Sequence, residues 1–218
     1  MQWTIKRGIT TLAVASAFAV LSAGAIGQSP APQPIEPLGQ HASVKNAHAT
    51  YSIAQLNSMD NTQFVQVLGG VYEHSPWVAE RVVAQRPFAS ADALRAAMRQ
   101  TVSNAGEAQQ IKLVRSHPEL AGRAAVRGEM TAASTREQGG AGLTQLTPEE
   151  FARLQDLNKR YSEKFGFPFV MAVRGYDRHA IIDALATRLN NGRDTELRTS
   201  LEQIDRIVGF RLNDLISG

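Results

Sequence analysis

Along most of the chain apolar residues recur every three or four positions, the spacing that gathers them on one face of a helix. The pattern begins near Tyr51. Asp60-Asn61 precede Phe64, Val65, Leu68 and Val71, and Ser75-Pro76 reads as an N-cap followed by proline at the first helical position. Ser90-Ala91-Asp92 opens a helix carrying Leu94, Met98, Thr101, Val102 and Ala105. It continues through Ile111 and Val114 to His117-Pro118, where the residue before proline is disfavoured in the helical region. Thr147-Pro148-Glu149-Glu150 starts a long helix bearing Leu154, Leu157, Tyr161 and Phe165, closed by Gly166, and a last helix runs from about Glu196 to Ile216. Only Phe167 to Val173 reads as extended, and one extended piece does not make a sheet. The spacing predicts an all-α fold, a single compact bundle of about seven or eight helices.

The helical period does not reach the N-terminus. Lys6 and Arg7 precede an apolar run from Leu12 to Leu21 and small residues at Ala23, Gly24, Ala25 and Gly27, the order of features in a secretory signal peptide. Residues 1–27 are therefore expected to be an export signal cleaved after Ala25 or Gly27, which makes the rest periplasmic or secreted with no membrane association after cleavage. The alternative, an uncleaved anchor, would need about 20 apolar residues. Residues 28–50 hold Pro30, Pro32, Pro34 and Pro37 and read as an extended linker ahead of a helical domain over 51–218. His41 and His48, in or beside that linker, are expected to be solvated.

Composition narrows the chemistry. The 218 residues are 43% hydrophobic, enough for a core, and contain no Cys, which removes disulfides, thiolate metal sites and a cysteine nucleophile. With residues 1–27 set aside, 21 Lys and Arg face 20 Asp and Glu, and only 6% of the chain is aromatic, so no nucleic-acid partner is expected. Five His lie scattered without an H-x-x-x-H or H-x-H pair, and no metal site is expected.

Polar residues in apolar company are the candidates for function. Leu197, Leu201, Ile204, Val208, Arg211 and Leu215 share one face of the last helix, and a guanidinium on such a stripe needs an anion or water. Arg211 is either structurally paired or aimed into a cavity that receives an anionic substrate. Asn158 falls in register with Leu154, Tyr161 and Phe165 and suits a buried amide that satisfies a helix end. His117 stands at a helix end with a pKa range suited to proton transfer. Ser134-Thr135-Arg136-Glu137-Gln138 runs into the glycine-rich turn Gly139-Gly140-Ala141-Gly142, which lacks the lysine and spacing of a phosphate loop. In Glu73-His74-Ser75-Pro76-Trp77, Ser75 reads as a cap and Trp77 as a core anchor, so this motif is read as structural, and His179 as a surface residue.

Taken in order, Val71-Tyr72-Glu73-His74-Ser75-Pro76-Trp77, His117-Pro118-Glu119-Leu120-Ala121-Gly122, Ser134-Thr135-Arg136-Glu137-Gln138, Leu157-Asn158, Phe165-Gly166-Phe167-Pro168-Phe169-Val170 and Arg211-Leu212 resemble the OHCU decarboxylases. These are the 2-oxo-4-hydroxy-4-carboxy-5-ureidoimidazoline decarboxylases of urate degradation, and the likeness covers roughly residues 53–217. The resemblance implies a cofactor-free, all-helical homodimer that converts OHCU into (S)-allantoin and carbon dioxide. It further implies His117 as the proton-transfer residue with Glu137 and Arg211 as polar partners, and a substrate site lined by Pro118, Ser134, Thr135, Arg136, Glu137, Gln138, Phe169, Val170, Met171, Ala172 and Val173. The export signal is unusual for such a family. The rival reading is an exported, noncatalytic helical binding or scaffold module, to which Arg86-Pro87-Phe88-Ala89-Ser90-Ala91-Asp92-Ala93-Leu94 lends a likeness to helix-hairpin-helix DNA binders.

Overall fold

Residues 50–217 are described by a computed structural model. The expected export signal over 1–27, the linker up to residue 49, and His41 and His48 lie outside the described residues. The chain folds as α1 (Ile53–Ser58), α2 (Asn61–Leu68), α3 (Trp77–Val82) with a 3-10 turn over Val83–Gln85, α4 (Ala91–Ser103) and α5 (Glu107–Arg115). It continues as α6 (Arg123–Arg127), α7 (Ala132–Gly140), α8 (Pro148–Phe165), α9 (Arg178–Arg188) and α10 (Arg193–Leu215). Among the described residues there is no strand, and no helix is long and apolar enough to cross a membrane.

The all-α bundle read from the sequence is what forms, with ten helices among the described residues because short ones join the long ones. The run read as continuous from Ser90 to Val114 breaks at Gly106, whose φ of +75° suits glycine and ends the helical path. The segment read as a glycine-rich turn is helical as far as Gly140. Ser75 caps nothing: α3 has no side-chain cap, and the Ser75 hydroxyl pairs with that of Ser116 at 3.3 Å. Phe167 to Val173 is an irregular connection without ladder partners. Elsewhere local chemistry agrees with the pattern. Ser52 with Gln55, Asp60 with Gln63 and Thr147 with Glu150 each form a reciprocal capping box, which satisfies two otherwise orphaned backbone donors per helix start.

α10 is the axis of the domain, packing on α4 and α5, while α3 packs on α4 and α8 on α9. Of its predicted stripe, Leu197, Ile204, Val208 and Arg211 are buried, while Leu201 and Leu215 are half-buried at its edge. Leu94, Met98, Leu113, Leu154, Tyr161 and Ile181 fill the interior, each aliphatic side chain contributing about 1.5–3 kcal/mol of transfer free energy. Tyr161 gathers Phe165, Phe167 and Phe169 around it at centroid distances of 4.6, 6.2 and 5.4 Å. The two ends of the domain meet at one parallel bridge, where Tyr51 N–H donates to the Leu215 carbonyl (2.8 Å) and Ser217 N–H to that of Tyr51 (3.1 Å).

Candidate active site

α5 ends at Arg115, and His117 turns its ring back so that Nδ1 lies 3.0 Å from the Leu113 carbonyl, one of the acceptors a helix terminus leaves over. A carbonyl only accepts, so Nδ1 carries the proton and the neutral ring presents the lone pair of Nε2, which has no protein partner. The ring is buried, and that desolvation pushes its pKa below the ordinary 6.5. The Leu113 bond and the carboxylates of Glu73 and Glu137 oppose this shift, while Arg211 adds to it.

The turn that follows is pinned by side-chain amides. Ala121, at φ +49°, donates its N–H to Gln138 Oε1 (2.9 Å) and accepts from Gln155 Nε2 (2.9 Å), while Asn158 Nδ2 donates to the Leu120 carbonyl (3.0 Å). Asn158 is a buried amide as its register suggested, but it serves this turn rather than a helix end and its Oδ1 has no partner, while Gln138 from α7 holds the turn from the other side.

Arg211 is paired on all its donors. Nε and Nη2 grip Glu137 as a bidentate fork at 2.9 and 2.8 Å. Nη1 reaches Glu73 Oε2 at 2.8 Å and the Val71 carbonyl at 3.3 Å, and Nη2 also donates to Ser134 Oγ at 3.2 Å. Burial would lower the guanidinium pKa, but the two carboxylates raise it. Of the two readings of Arg211, the paired one describes this structure: its acceptors are all protein groups.

Glu73 is the residue that sequence reasoning missed. It is 2% exposed and sits at φ +46°, a left-handed conformation seldom taken by a residue with a side chain. Thr131 Oγ1 donates to its Oε1 at 2.7 Å, and Ser134 Oγ lies 3.0 Å from both of its oxygens. Burial pushes its carboxyl pKa up, but Arg211, Thr131 and His117 together hold it below the ordinary value. The only sequence signal was an acid wedged between Val71-Tyr72 and Ser75-Pro76, in the motif read as structural.

Most of the expected site residues come together. His117, Pro118, Ser134, Glu137, Gln138 and Arg211 line one cavity, with Phe169, Val170, Met171 and Val173 from the connection after α8 and Leu120 and Ile207 beside them. Two do not join. Thr135 is exposed and spends its hydroxyl on the Thr131 carbonyl at 3.0 Å, because it lies one helical step round from Ser134. Ala172 is buried outside the lining, with its N–H donated to Gln203 Oε1 at 3.1 Å. Arg136 lies in a neighbouring depression of about 440 Å³ that shares Glu137 and Arg211 with the cavity. The cavity itself has about 30 Å³, room for a water or two, so a bulkier ligand must widen it. No group of three or more His, Asp or Glu able to hold a metal occurs among the described residues.

Arg86 does not present itself to a phosphate backbone. Its guanidinium folds inward onto the carbonyls of Leu56, Asn57 and Met59 and onto Asn61 Oδ1 at 2.6 Å, which removes the support for the DNA-binding likeness. A helical interior that holds a neutral imidazole with a free lone pair beside two carboxylates and a guanidinium is built for proton transfer. The OHCU decarboxylase family model matches residues 57–213, and the chain belongs to that family. It is 43% identical over 166 residues to the 2-oxo-4-hydroxy-4-carboxy-5-ureidoimidazoline decarboxylase of Haloferax volcanii, covering 76% of this chain and 96% of the relative. The mouse (Mus musculus) enzyme of the same name is 42% identical over 164 residues, covering 75% of this chain and 92% of its own length. A solved structure of (S)-allantoin synthase superposes with a TM-score of 0.63 at 30% identity, over 76% of this chain and 54% of that one.

Proposed function

We propose that this protein decarboxylates OHCU to (S)-allantoin, with His117 moving the proton. The observation that carries the reading is the fixed tautomer of a buried His117, its Nε2 unpartnered at a cavity that Glu137 and Arg211 border.

The substrate carries its own electron sink. When the bond from ring carbon 4 to the carboxylate breaks, its electron pair forms a double bond between carbons 4 and 5. The pair of the former C5=N bond moves onto nitrogen, which takes a proton from solvent, and carbon dioxide leaves. The 4-hydroxyl then gives up its proton as the carbonyl forms, and carbon 5 receives one on a single face, which sets the S configuration. Nε2 of His117 fits this shuttle, accepting from the hydroxyl and returning the proton to carbon 5. Between the two steps the ring is cationic. Glu73 and Glu137 against Arg211 leave one negative charge beside it, which stabilises the imidazolium.

Generating OHCU in place with uricase and hydroxyisourate hydrolase, adding the protein and following optical rotation tests the reading. Rapid accumulation of the S enantiomer is expected; racemic allantoin at the spontaneous rate rejects it. Export from the cytoplasm and a homodimeric assembly belong to the same proposal. Mass spectrometry of exported material should find the first 25 or 27 residues removed, and sedimentation should give twice the chain mass; an intact Met1 or a monomer refutes the respective part.

A further inference from the structure

A second hollow, of about 430 Å³, opens between α4 and α10, a size usual for small-molecule sites. Tyr72 lines it although only 2% exposed, and the Tyr72 hydroxyl has no hydrogen-bond partner in the protein. The oxygen itself is not sealed from solvent, so the hydroxyl is open to a ligand in the hollow. Burial, with Asp205 nearby, holds the phenol pKa above its usual value, while Arg95 and Arg99 oppose the shift, so the hydroxyl stays a neutral donor.

Arg99, Arg198 and Arg206 line the same hollow, and none of them makes an ion pair or hydrogen bond. Two acids also line it. Asp205 is neutralised by Arg95, whose Nη2 and Nε lie 2.8 and 3.3 Å from its oxygens. Gly209 permits that pairing, since a Cβ there would fall 2.7 Å from the Arg95 guanidinium carbon. Glu202 remains unpaired, so the lining keeps an excess of positive charge. Val102, Leu201 and Ile204 add an apolar wall.

We propose that this hollow is a second ligand site, one that takes a small organic carboxylate with an apolar body. The free guanidiniums and the Tyr72 hydroxyl receive the carboxylate, and the aliphatic wall takes the body. An inorganic anion would leave that wall bare. At about 100° per residue, Arg198, Glu202, Asp205 and Arg206 project from the side of α10 opposite Ile207 and Arg211, so this site and the His117 cavity are separate but share one helix.

Benzoate, its neutral analogue benzamide and inorganic phosphate, each titrated calorimetrically into the full chain, test the proposal. Benzoate should saturate one site, and benzamide and phosphate should bind at least about tenfold more weakly, the loss expected when a charge-assisted contact or the apolar contact is removed. R99A/R206A should weaken benzoate by about tenfold or more and Y72F by severalfold. Decarboxylation without benzoate should be unchanged in R99A/R206A. Benzoate that binds no better than benzamide or phosphate, fails to saturate, or binds R99A/R206A as tightly as the unaltered protein overturns the proposal.

Discussion

Arg211, which is buried, and Arg188, whose side chain is 12% exposed, are both guanidiniums held by carboxylates, yet their surroundings differ in charge. Arg188 donates to Glu196 Oε1 at 2.7 Å, to Ser200 Oγ at 3.1 Å and to the Val170 carbonyl at 2.8 Å. Tyr161 Oη and Asn191 Nδ2 donate the remaining hydrogen bonds to Glu196, which is wholly buried. One cation there meets one anion and the accounts cancel, as a structural pair requires. Arg211 meets two anions, and the excess faces an imidazole that can gain a proton. Burial of charge alone therefore does not single out the proposed active site; an uncancelled charge next to a group able to change protonation does. The two clusters are also joined, since Arg188 steadies the carbonyl of Val170, whose side chain lines the His117 cavity.

The contrast can be broken from either side. His117→Ala should lower kcat/KM by ~10²–10⁴-fold, read by optical rotation, with little change in folding; retained turnover removes the imidazole from the mechanism. Arg188→Met should do the reverse, costing about 3–5 kcal/mol in urea unfolding because Glu196 is left buried and uncompensated, while the folded fraction keeps its turnover. If that variant lost turnover without losing stability, the division of labour between the clusters would be wrong. Glu73→Gln should act through charge. It withdraws a group that raises the His117 pKa, so the acid limb of kcat/KM, already below 6.5, should move lower still, and Glu73→Asp should restore it. An unmoved limb would leave Glu73 a purely structural residue. The folded-state pKa values of His117 and Glu73 both lie below their ordinary 6.5 and 4.5. Their stabilisation is complete above those values and is lost as pH falls through the folded ones. Urea midpoints should therefore decline from about pH 6.5 downward, and His117→Ala should flatten the first part of that decline. Smallest of all, Thr135→Ala should leave kcat/KM within about twofold, since its hydroxyl serves only its own helix.

Much of this was legible in the chain. Caps at Ser90 and Thr147, the apolar stripe of α10 and the odd arginine within it are local patterns, and local patterns survive into the fold. Glu73 was not legible because its burial depends on a left-handed turn and on Thr131 and Ser134, 58 and 61 residues away, which no periodicity encodes. Arg188 and Glu196 were hidden differently: a base in the last turn of α9 and an acid in the first turn of α10 look like ordinary responses to the helix dipole. Thr135 and Ala172 entered by resemblance to a whole segment, and a segment does not say which of its side chains turn inward.

The bridge between Tyr51 and Ile216 ties the start of the described chain to the helix that carries Arg211. It fastens the incoming chain to the last turn of the helix that carries Arg211, with the two stretches running the same way. A pull on the segment ahead of Tyr51 is thus delivered to the end of α10, one turn beyond the guanidinium, rather than dissipated in a loose terminus.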